Sequence, residues 1–281
     1  MTQDPVVIRN LVKRYPDFTL DGISLTIRRG FVTGFIGANG SGKTTTIKSA
    51  LGAIQPDEGE IDVINHDKIG VVLDTPPYFG EWRVRDLEKC MARFYSTWNA
   101  ELFDARITRA QIERSQKIKE LSRGMGMQLQ MAIALAHAPD LLILDEATSG
   151  LDPLARSELV NTLREFMLDE NHSVWFSTHI TSDLESLADY LIVIDRGSIF
   201  AQTTKEEVLD DFRLVKGTPA QLSPDIRERS LGLEETPAGW QALLHTSDAS
   251  AYVSDAIIEH PTIEDISICV ARGSQTGALH V

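Results

Sequence analysis

The segment from Gly37 to Thr44 reads GANGSGKT, and it constrains the fold of this chain more than any other stretch. An apolar run at 31–36 precedes it and a helical pattern follows it, so the sequence predicts a strand, a glycine-rich turn and a helix in that order. Glycines let such a turn bring its backbone N–H groups against phosphate oxygens, where a Cβ would clash. The following helix points the positive end of its dipole at the same anion.

The side chains of this turn predict a bound nucleoside triphosphate and a metal ion. Lys43 is placed to reach the β- and γ-phosphates, and Thr44 offers a hydroxyl to Mg²⁺. The alternative is a glycine turn that ends in a surface lysine, and the flanking strand and helix weigh against it. The residues predicted to contact the nucleotide here are Gly37, Asn39, Gly40, Ser41, Gly42, Lys43, Thr44 and Thr45.

Apolar, β-branched runs alternate with helix-length segments through residues 1–212, which predicts an α/β fold with a mostly parallel sheet. Helical spacing dominates the middle of this region, and we expect a helical insertion at about 77–138. Residues 213–281 are expected to form a small α+β appendage. Within it the pattern favours helices at 250–259 and 262–271.

The charge balance limits the classes of partner. With 27 Lys and Arg against 41 Asp and Glu, the formal net charge is −14, which repels a phosphate backbone and argues against nucleic acid. Cys90 and Cys269 show no disulfide or zinc pattern, so a reducing compartment, the cytosol, is expected. The sequence has neither a run of 18 apolar residues nor a secretory leader, so we expect no membrane span.

Two carboxylates follow the apolar run LLIL at 141–144, where α/β folds place their sites. Asp145 is predicted to hold Mg²⁺, through water. Glu146 extends one residue further toward the γ-phosphate and is predicted to be the general base that polarises an attacking water. Two carboxylates that merely solvate a turn would be the better interpretation if this motif stood alone.

Three more motifs, LSRGM at 121–125, SGLD at 149–152 and STHI at 177–180, follow the glycine-rich turn in the chain. With the Asp-Glu strand, their order and spacing closely resemble those of the ATP-binding subunits of ABC transporters over residues 1 to about 212. The resemblance implies a P-loop NTPase fold of ABC type, with an antiparallel β subdomain beside the parallel sheet. It also implies ATP and Mg²⁺ as cofactors and ATP hydrolysis as the activity.

The same resemblance implies that two copies of the domain sandwich two ATP molecules head to tail. Ser122 and Gly124 of one copy would close on the γ-phosphate held by Lys43 of the other, and Asp152 would lie at the seam. A homodimer is favoured because this chain carries both the catalytic residues and the signature serine. A heterodimer stays open, since each site borrows its signature from a partner.

Two further residues receive roles from the resemblance. His179 would contact the γ-phosphate and orient the water beside Glu146. Tyr15 would stack on the adenine ring, to which an electron-rich aromatic face is suited. The alternative for Tyr15 is simple packing at the surface.

The chain departs from the family pattern at three positions. Arg123 and Met125 replace a signature glycine and glutamine, and Arg123 is expected either to aid phosphate binding or to face solvent. Asp74 stands where the family places a glutamine near Mg²⁺. Two like charges about 4 Å apart at an effective dielectric near 20 cost about 4 kcal/mol. We therefore predict that Asp74 lies beside Mg²⁺, which separates it from the γ-phosphate.

The strings IGVVLD, LSRGM and PTIEDI are similar to one branch of the family, the ATPases paired with ABC-2-type membrane subunits that export peptides, antimicrobials or lipids. We therefore expect a peripheral protein at the inner face of the cell membrane, with residues 77–118 docked on a separate transmembrane permease. The alternative is a soluble ABC-type scaffold or regulator that acts without transport. A neighbouring gene for about six apolar helices would favour export.

Overall fold

The computed structural model describes residues 3–252 and 256–276, and the side chains of 250–252 and 274–276 lie outside this description. The strands are, in chain order, β1 (Val6–Tyr15), β2 (Phe18–Ile27), β3 (Val32–Ile36), β4 (Glu58–Val63), β5 (Ile69–Leu73), β6 (Leu141–Asp145), β7 (Ser173–Ser177), β8 (Tyr190–Asp195), β9 (Ser198–Thr204), β10 (Phe212–Gly217), β11 (Leu231–Thr236), β12 (Gly239–His245) and β13 (Ile257–Glu259). The helices are α1 (Lys43–Ala50), α2 (Val84–Phe94), α3 (Ala100–Arg109), α4 (Arg123–Ala136), α5 (Pro153–Phe166), α6 (Thr181–Glu185), α7 (Lys205–Asp211), α8 (Pro224–Arg229), α9 (Thr246–Tyr252) and α10 (Ile263–Thr276).

The main sheet has the strand order β5-β6-β7-β3-β8-β9, and every neighbouring pair is parallel except β8 with β9. Two antiparallel sheets accompany it, β2-β1-β4 and β11-β12-β10-β13. This architecture confirms the predicted α/β fold with a parallel core and an antiparallel β subdomain. Because parallel strands end at one edge, the residues that follow them gather there. These residues are Gly37, Asp74, Glu146 and Thr178.

The main sheet is buried on both faces, as parallel sheets are. Along β6, Leu142 and Leu144 point into a core that contains apolar residues of α4, α5 and α10. Leu141 and Ile143 alternate to the opposite face, where they pack with α1 and the three-stranded sheet. The helical region has a third core, formed mainly by α2, α3 and α4. The carboxyl edge is therefore held rigidly from both sides.

In the C-terminal segment, residues 212–281, one predicted helix is wrong. Residues 250–259 were expected to form a helix, but α9 ends at Tyr252 and 257–259 form β13; residues 253–255 lie outside the described part. Ile257 and Ile258 pair with β10, because a sheet edge offers backbone hydrogen bonds that local helix propensity does not outweigh. The predicted helix at 262–271 is confirmed, and it continues to Thr276.

Helix α10 places Ile263, Ile266, Cys269 and Val270 in the same buried cluster as Phe176 and Leu191 of the main sheet. The C-terminal segment thus shares its core with the α/β part, and a boundary at residue 212 stays a prediction. Within the described residues, no helix combines the length and apolar character that a bilayer crossing needs.

Candidate active site at the carboxyl edge

The glycine-rich turn lies against the end of β8, and two of its glycines have no room for a side chain. A Cβ on Gly37 would lie 2.2 Å from the carbonyl oxygen of Ile194. Gly42 has a φ of 114°, and its Cβ would lie 2.5 Å from Leu20. Only glycine fits both positions, so the turn keeps its backbone at the surface that a phosphate would approach.

Lys43 lies inside this turn, with only 5% of its side chain exposed. Its Nζ donates hydrogen bonds to the carbonyl oxygens of Gly37 at 2.6 Å and Ala38 at 3.3 Å. The same ammonium lies 3.4 Å from Oε1 of Glu146. The structure thus joins the predicted phosphate lysine to the predicted general base.

Asp145 is buried at the end of β6, and its Oδ1 accepts no hydrogen bond from the described part of the chain. Burial raises the pKa of this carboxyl group, and the nearby hydroxyls of Thr44 and Ser177 act against that rise. A buried carboxylate oxygen and a hydroxyl suit Mg²⁺, which prefers hard oxygen ligands. The described residues include no group of three or more His, Cys, Asp or Glu side chains placed to hold a metal ion, so Mg²⁺ here would need phosphate and water oxygens as well.

Glu146 adopts a φ of 54°, an unfavourable conformation for a residue with a Cβ. Its backbone N–H donates to the carbonyl oxygen of Ser177 at 2.9 Å, which fixes this turn against β7. Its Oε2 accepts from the backbone N–H of His179 at 3.3 Å and contacts Nδ1 of the same residue at 2.5 Å. Lys43, Glu146 and His179 therefore form one connected cluster.

Ser122, Gly124 and Asp152 lie at two adjacent helix N-termini. Ser122 caps α4 by accepting from Met125 N–H at 3.2 Å, and Asp152 caps α5 by accepting from two backbone N–H groups. A Cβ on Gly124 would lie 3.4 Å from Cβ of Ala155, so the two ends are close together. In the described part of the chain, no hydrogen bond or ion pair joins these three residues to Lys43.

Tyr15 ends β1 with 40% of its surface exposed. Its ring stacks on Phe18 with centroids 6.5 Å apart, and Nζ of Lys13 lies 5.9 Å from the ring centre. Phe18 in turn lies beside the glycine-rich turn, because a Cβ on Gly42 would be 3.0 Å from Cζ of Phe18. Tyr15 is thus one aromatic ring away from the phosphate loop, a position that suits its predicted contact with adenine.

Two contacts at the end of β5 escaped prediction. The buried Gln130 amide pairs with both backbone groups of Leu73, at 3.1 and 2.9 Å. Asp74, the next residue, forms an ion pair with Arg123. The sequence signal for this pair was present, since Arg123 and Asp74 are both departures from the family pattern and have opposite charges. The guanidinium of Arg123 therefore compensates the charge of Asp74 within the chain itself.

Comparison with known proteins identifies the family of this chain. Residues 20–149 match the protein family described as ABC transporter. A Nod factor export ATP-binding protein from Burkholderia orbicola (strain AU 1054) is 33% identical over 75% of this chain and 74% of its own length. The chain belongs to the ATP-binding subunits of ABC transporters. This family hydrolyses ATP to power transport, so the expected ATPase activity is confirmed at the level of the family.

Other members of the ABC family show the same relationship. The bacitracin transport ATP-binding protein of Bacillus licheniformis is 30% identical over 66% of this chain, which spans 64% of that relative's length. Among solved structures, cbiO1 from Clostridium perfringens, part of the ABC transporter complex cbiONQ, is 26% identical with a TM-score of 0.61. That match covers 74% of this chain and 91% of the solved one.

Proposed function

We propose that this chain is the ATP-hydrolysing subunit of a membrane exporter. One observation carries the chemistry: Lys43, Glu146 and His179 form a connected cluster at the carboxyl edge, beside the buried Asp145 and the exposed Thr44. The names of the relatives support the direction of transport, because they refer to bacitracin transport and Nod factor export. ATP would be the substrate, and Mg²⁺ the ion that neutralises charge on its phosphates.

In this mechanism Lys43 exchanges its contacts with Gly37, Ala38 and Glu146 for the β- and γ-phosphates of ATP. Thr44 and Asp145 would hold Mg²⁺, which would neutralise charge on the phosphates. The exchange frees one oxygen of Glu146, which accepts the proton of the attacking water. His179 keeps the other oxygen in place through its backbone N–H and ring, and its exposed ring contacts the γ-phosphate.

Asp74 is proposed to approach Mg²⁺ in the ATP-bound subunit. Its ion pair with Arg123 supports tolerance of this acidic residue near the phosphates, since the guanidinium compensates its charge. The Mg²⁺ dependence of ATP turnover in Asp74→Asn and Asp74→Ala tests the assignment. A weaker apparent Mg²⁺ affinity is expected in both variants, and an unchanged affinity in both would remove Asp74 from the metal site.

We further propose that two copies share two ATP sites, with Ser122, Gly124 and Asp152 of each completing the site of the other. The exposure of Ser122 and Asp152 at neighbouring helix ends supports this arrangement. Gel filtration of Glu146→Gln with and without ATP tests it. An ATP-dependent shift to a dimer is expected, and a persistent monomer would contradict self-association and favour a heterodimer.

The helical region is proposed to dock on a transmembrane permease and so hold the chain at the cytoplasmic face of the membrane. Phe79 and Phe94 support this, because 71% and 73% of their surfaces are exposed. Phe79 also contacts Trp82, with ring centroids 5.5 Å apart, which makes a compact aromatic patch. Co-purification of a polytopic membrane protein, lost in Phe79→Ser, tests the docking; retention of the partner in that variant would place the interface elsewhere.

Loss of export in the Glu146→Gln variant tests the role of the whole complex. The expected result is normal membrane association with no export, because the variant retains the docking surface and lacks the general base. Export at the normal rate would show that hydrolysis at Glu146 does not drive transport.

A further inference from the structure

Helix α4 meets the edge of the main sheet at two points. Near its middle, the buried Gln130 amide pairs with the backbone of Leu73, satisfying groups that an edge strand would otherwise leave unpaired. Two turns earlier, Nη2 of Arg123 donates to Oδ1 of Asp74, the residue after Leu73. Residues seven positions apart lie on one face of a helix, so both side chains reach the same strand end.

The guanidinium of Arg123 makes a third contact. A Cβ on Gly150 would lie 3.0 Å from both Cζ and Nε of Arg123, so the guanidinium packs directly on this glycine. Gly150 has a φ of 64° and belongs to the turn 149–152 that ends in the cap residue Asp152. Arg123 therefore touches the end of β5 and the turn before α5 at once.

The first turn of α4 is held by packing and by Arg123. Gly124 lies against Ala155, and Met125 packs against the core of the helical region. The ion pair of Arg123 with Asp74 adds a charged link from this turn to the end of β5. The charges of Asp74 and Arg123, 49 residues apart in the sequence, complement each other in the fold.

We propose that Arg123 is a positioning residue that fixes the first turn of α4 through Asp74 and the 149–152 turn. It thereby sets where Ser122 and Gly124 meet the γ-phosphate held by a second copy. This inference rests on the proposed sharing of ATP sites between copies. Its structural part, the fixed first turn, is testable in the nucleotide-free chain alone.

Hydrogen exchange of the full-length, nucleotide-free protein tests the structural part. Arg123→Ala and Asp74→Asn should each speed exchange in peptides covering 121–127 and 148–153 by up to about fivefold, the range of an exposed ion pair. The double variant should exchange no faster than Arg123→Ala alone, because both changes break one contact. Unchanged exchange, or additive effects in the double variant, would overturn the proposal.

A matched control lies in the C-terminal segment. Arg227 forms an ion pair with Glu235, and the two side chains are about as exposed as Arg123 and Asp74. Arg227→Ala should leave exchange at 121–127 and 148–153 unchanged. An equal increase there would mean that any lost surface ion pair loosens the protein, and the positioning role would be wrong.

ATP-driven dimerisation in the Glu146→Gln background tests the consequence for the site. By analytical ultracentrifugation at saturating Mg²⁺ and ATP, Arg123→Ala and Asp74→Asn should weaken the dimer by similar factors, about two- to fivefold, and Arg123→Ala should leave the ATP affinity of the monomer unchanged. Arg123→Lys should recover most of the loss, because it keeps the cation beside Asp74.

Loss of dimer affinity in Arg123→Ala but not in Asp74→Asn would show that Arg123 acts on the nucleotide directly, which contradicts positioning through Asp74. If Glu146→Gln itself stays monomeric with ATP, the shared-site proposal fails. Hydrogen exchange then still decides whether Arg123 fixes the first turn of α4.

Discussion

The carboxyl edge of the main sheet and the C-terminal segment are both built from buried strands and packed helices. They differ in how many buried polar atoms lack a hydrogen-bond partner. At the edge, Ser41 Oγ, Asp145 Oδ1 and Ser177 Oγ are buried without a hydrogen-bond partner. In the described part of residues 212–276, the indole nitrogen of Trp240 is the single such atom. A buried polar group without a partner costs free energy, so a ligand that supplies hydrogen bonds to these three atoms beside the phosphate turn would be favoured.

The backbone shows the same contrast. At the edge, Glu146 holds a positive φ although it has a side chain. In the C-terminal segment, the positive φ values of described residues fall on Gly232. Strain of this kind persists where the surrounding structure enforces it, and it concentrates at functional sites. The carboxyl edge thus has the backbone strain that is typical of functional sites, whereas the C-terminal segment packs against the main core without such strain at a described residue that has a side chain.

The largest expected effect is on hydrolysis. Glu146→Gln should lower the rate of ATP turnover by about 10²- to 10⁴-fold, the usual contribution of a general base, while ATP binding is retained. Steady-state phosphate release and equilibrium ATP binding measure the two quantities. Glu235→Gln in the C-terminal segment is the control and should turn over ATP normally. Turnover of Glu146→Gln within threefold of normal would contradict the assignment.

The reverse pattern is expected for the buried Trp240. Trp240→Ala should lower the free energy of unfolding by about 3–5 kcal/mol, because it leaves a large cavity in the C-terminal core. ATP affinity of the folded fraction should stay unchanged. Urea denaturation and ATP titration below the transition measure both. A loss of ATP affinity in folded protein would show that this core supports the site directly.

Two glycines with equally close backbone neighbours allow the effect of a substitution on stability to be compared with its effect on ATP binding. A Cβ would lie 2.2 Å from a carbonyl oxygen at Gly37 and 2.4 Å from one at Gly239. Gly37→Ala and Gly239→Ala should each cost about 1–3 kcal/mol of stability, as overpacking does. Only Gly37→Ala should weaken ATP binding, measured by calorimetry. Equal ATP affinity in the two variants would mean that the phosphate turn tolerates displacement.

The smallest expected effect is on stability, and it concerns Glu81, a surface residue that lies outside both regions. Hydrogen bonds from Lys119 and Lys117 lower the pKa of Glu81 to about 2. Because its pKa is lower in the folded chain, Glu81 stabilises the fold above its ordinary value of 4.5, and this contribution is lost as the pH falls toward about 2.

Denaturant unfolding of the normal chain and of Glu81→Gln at several pH values measures this difference. The stability of the two chains should differ slightly at pH 6 and converge as the pH falls toward about 2. A difference that grows on acidification would show that the pairing with Lys117 and Lys119 has the opposite effect.

The parallel sheet and the phosphate turn were predictable because their constraints are local. β-branched runs, glycines and a Lys-Thr pair at fixed spacing predict a strand, a turn and a helix without long-range information. The strand at 257–259 was not predictable in this way, since its partner, β10, lies about forty residues earlier in the chain. Residues 257–259 form a strand because they pair with the edge of a sheet, although their local spacing favours a helix.

The contacts of α4 with β5 were also not predictable from local sequence. Ser122 and Gly124 could be identified from a contiguous motif, but Gln130 and Arg123 act on a strand end some fifty residues away. Their partners depend on how α4 packs on β5, which periodicity alone does not specify. The opposite charges of Arg123 and Asp74 were the available signal, and one sequence does not show that they meet.

Lys43, held inside a glycine turn, is proposed to bind the phosphates of ATP while Glu146 accepts a proton from the attacking water. Calorimetric titration of Mg-ATP into Glu146→Gln and into the double variant Lys43→Ala/Glu146→Gln tests it directly. Saturable binding to the first is expected, with a loss of affinity of at least tenfold in the second. Equal affinity in the two proteins, or none in either, would contradict it.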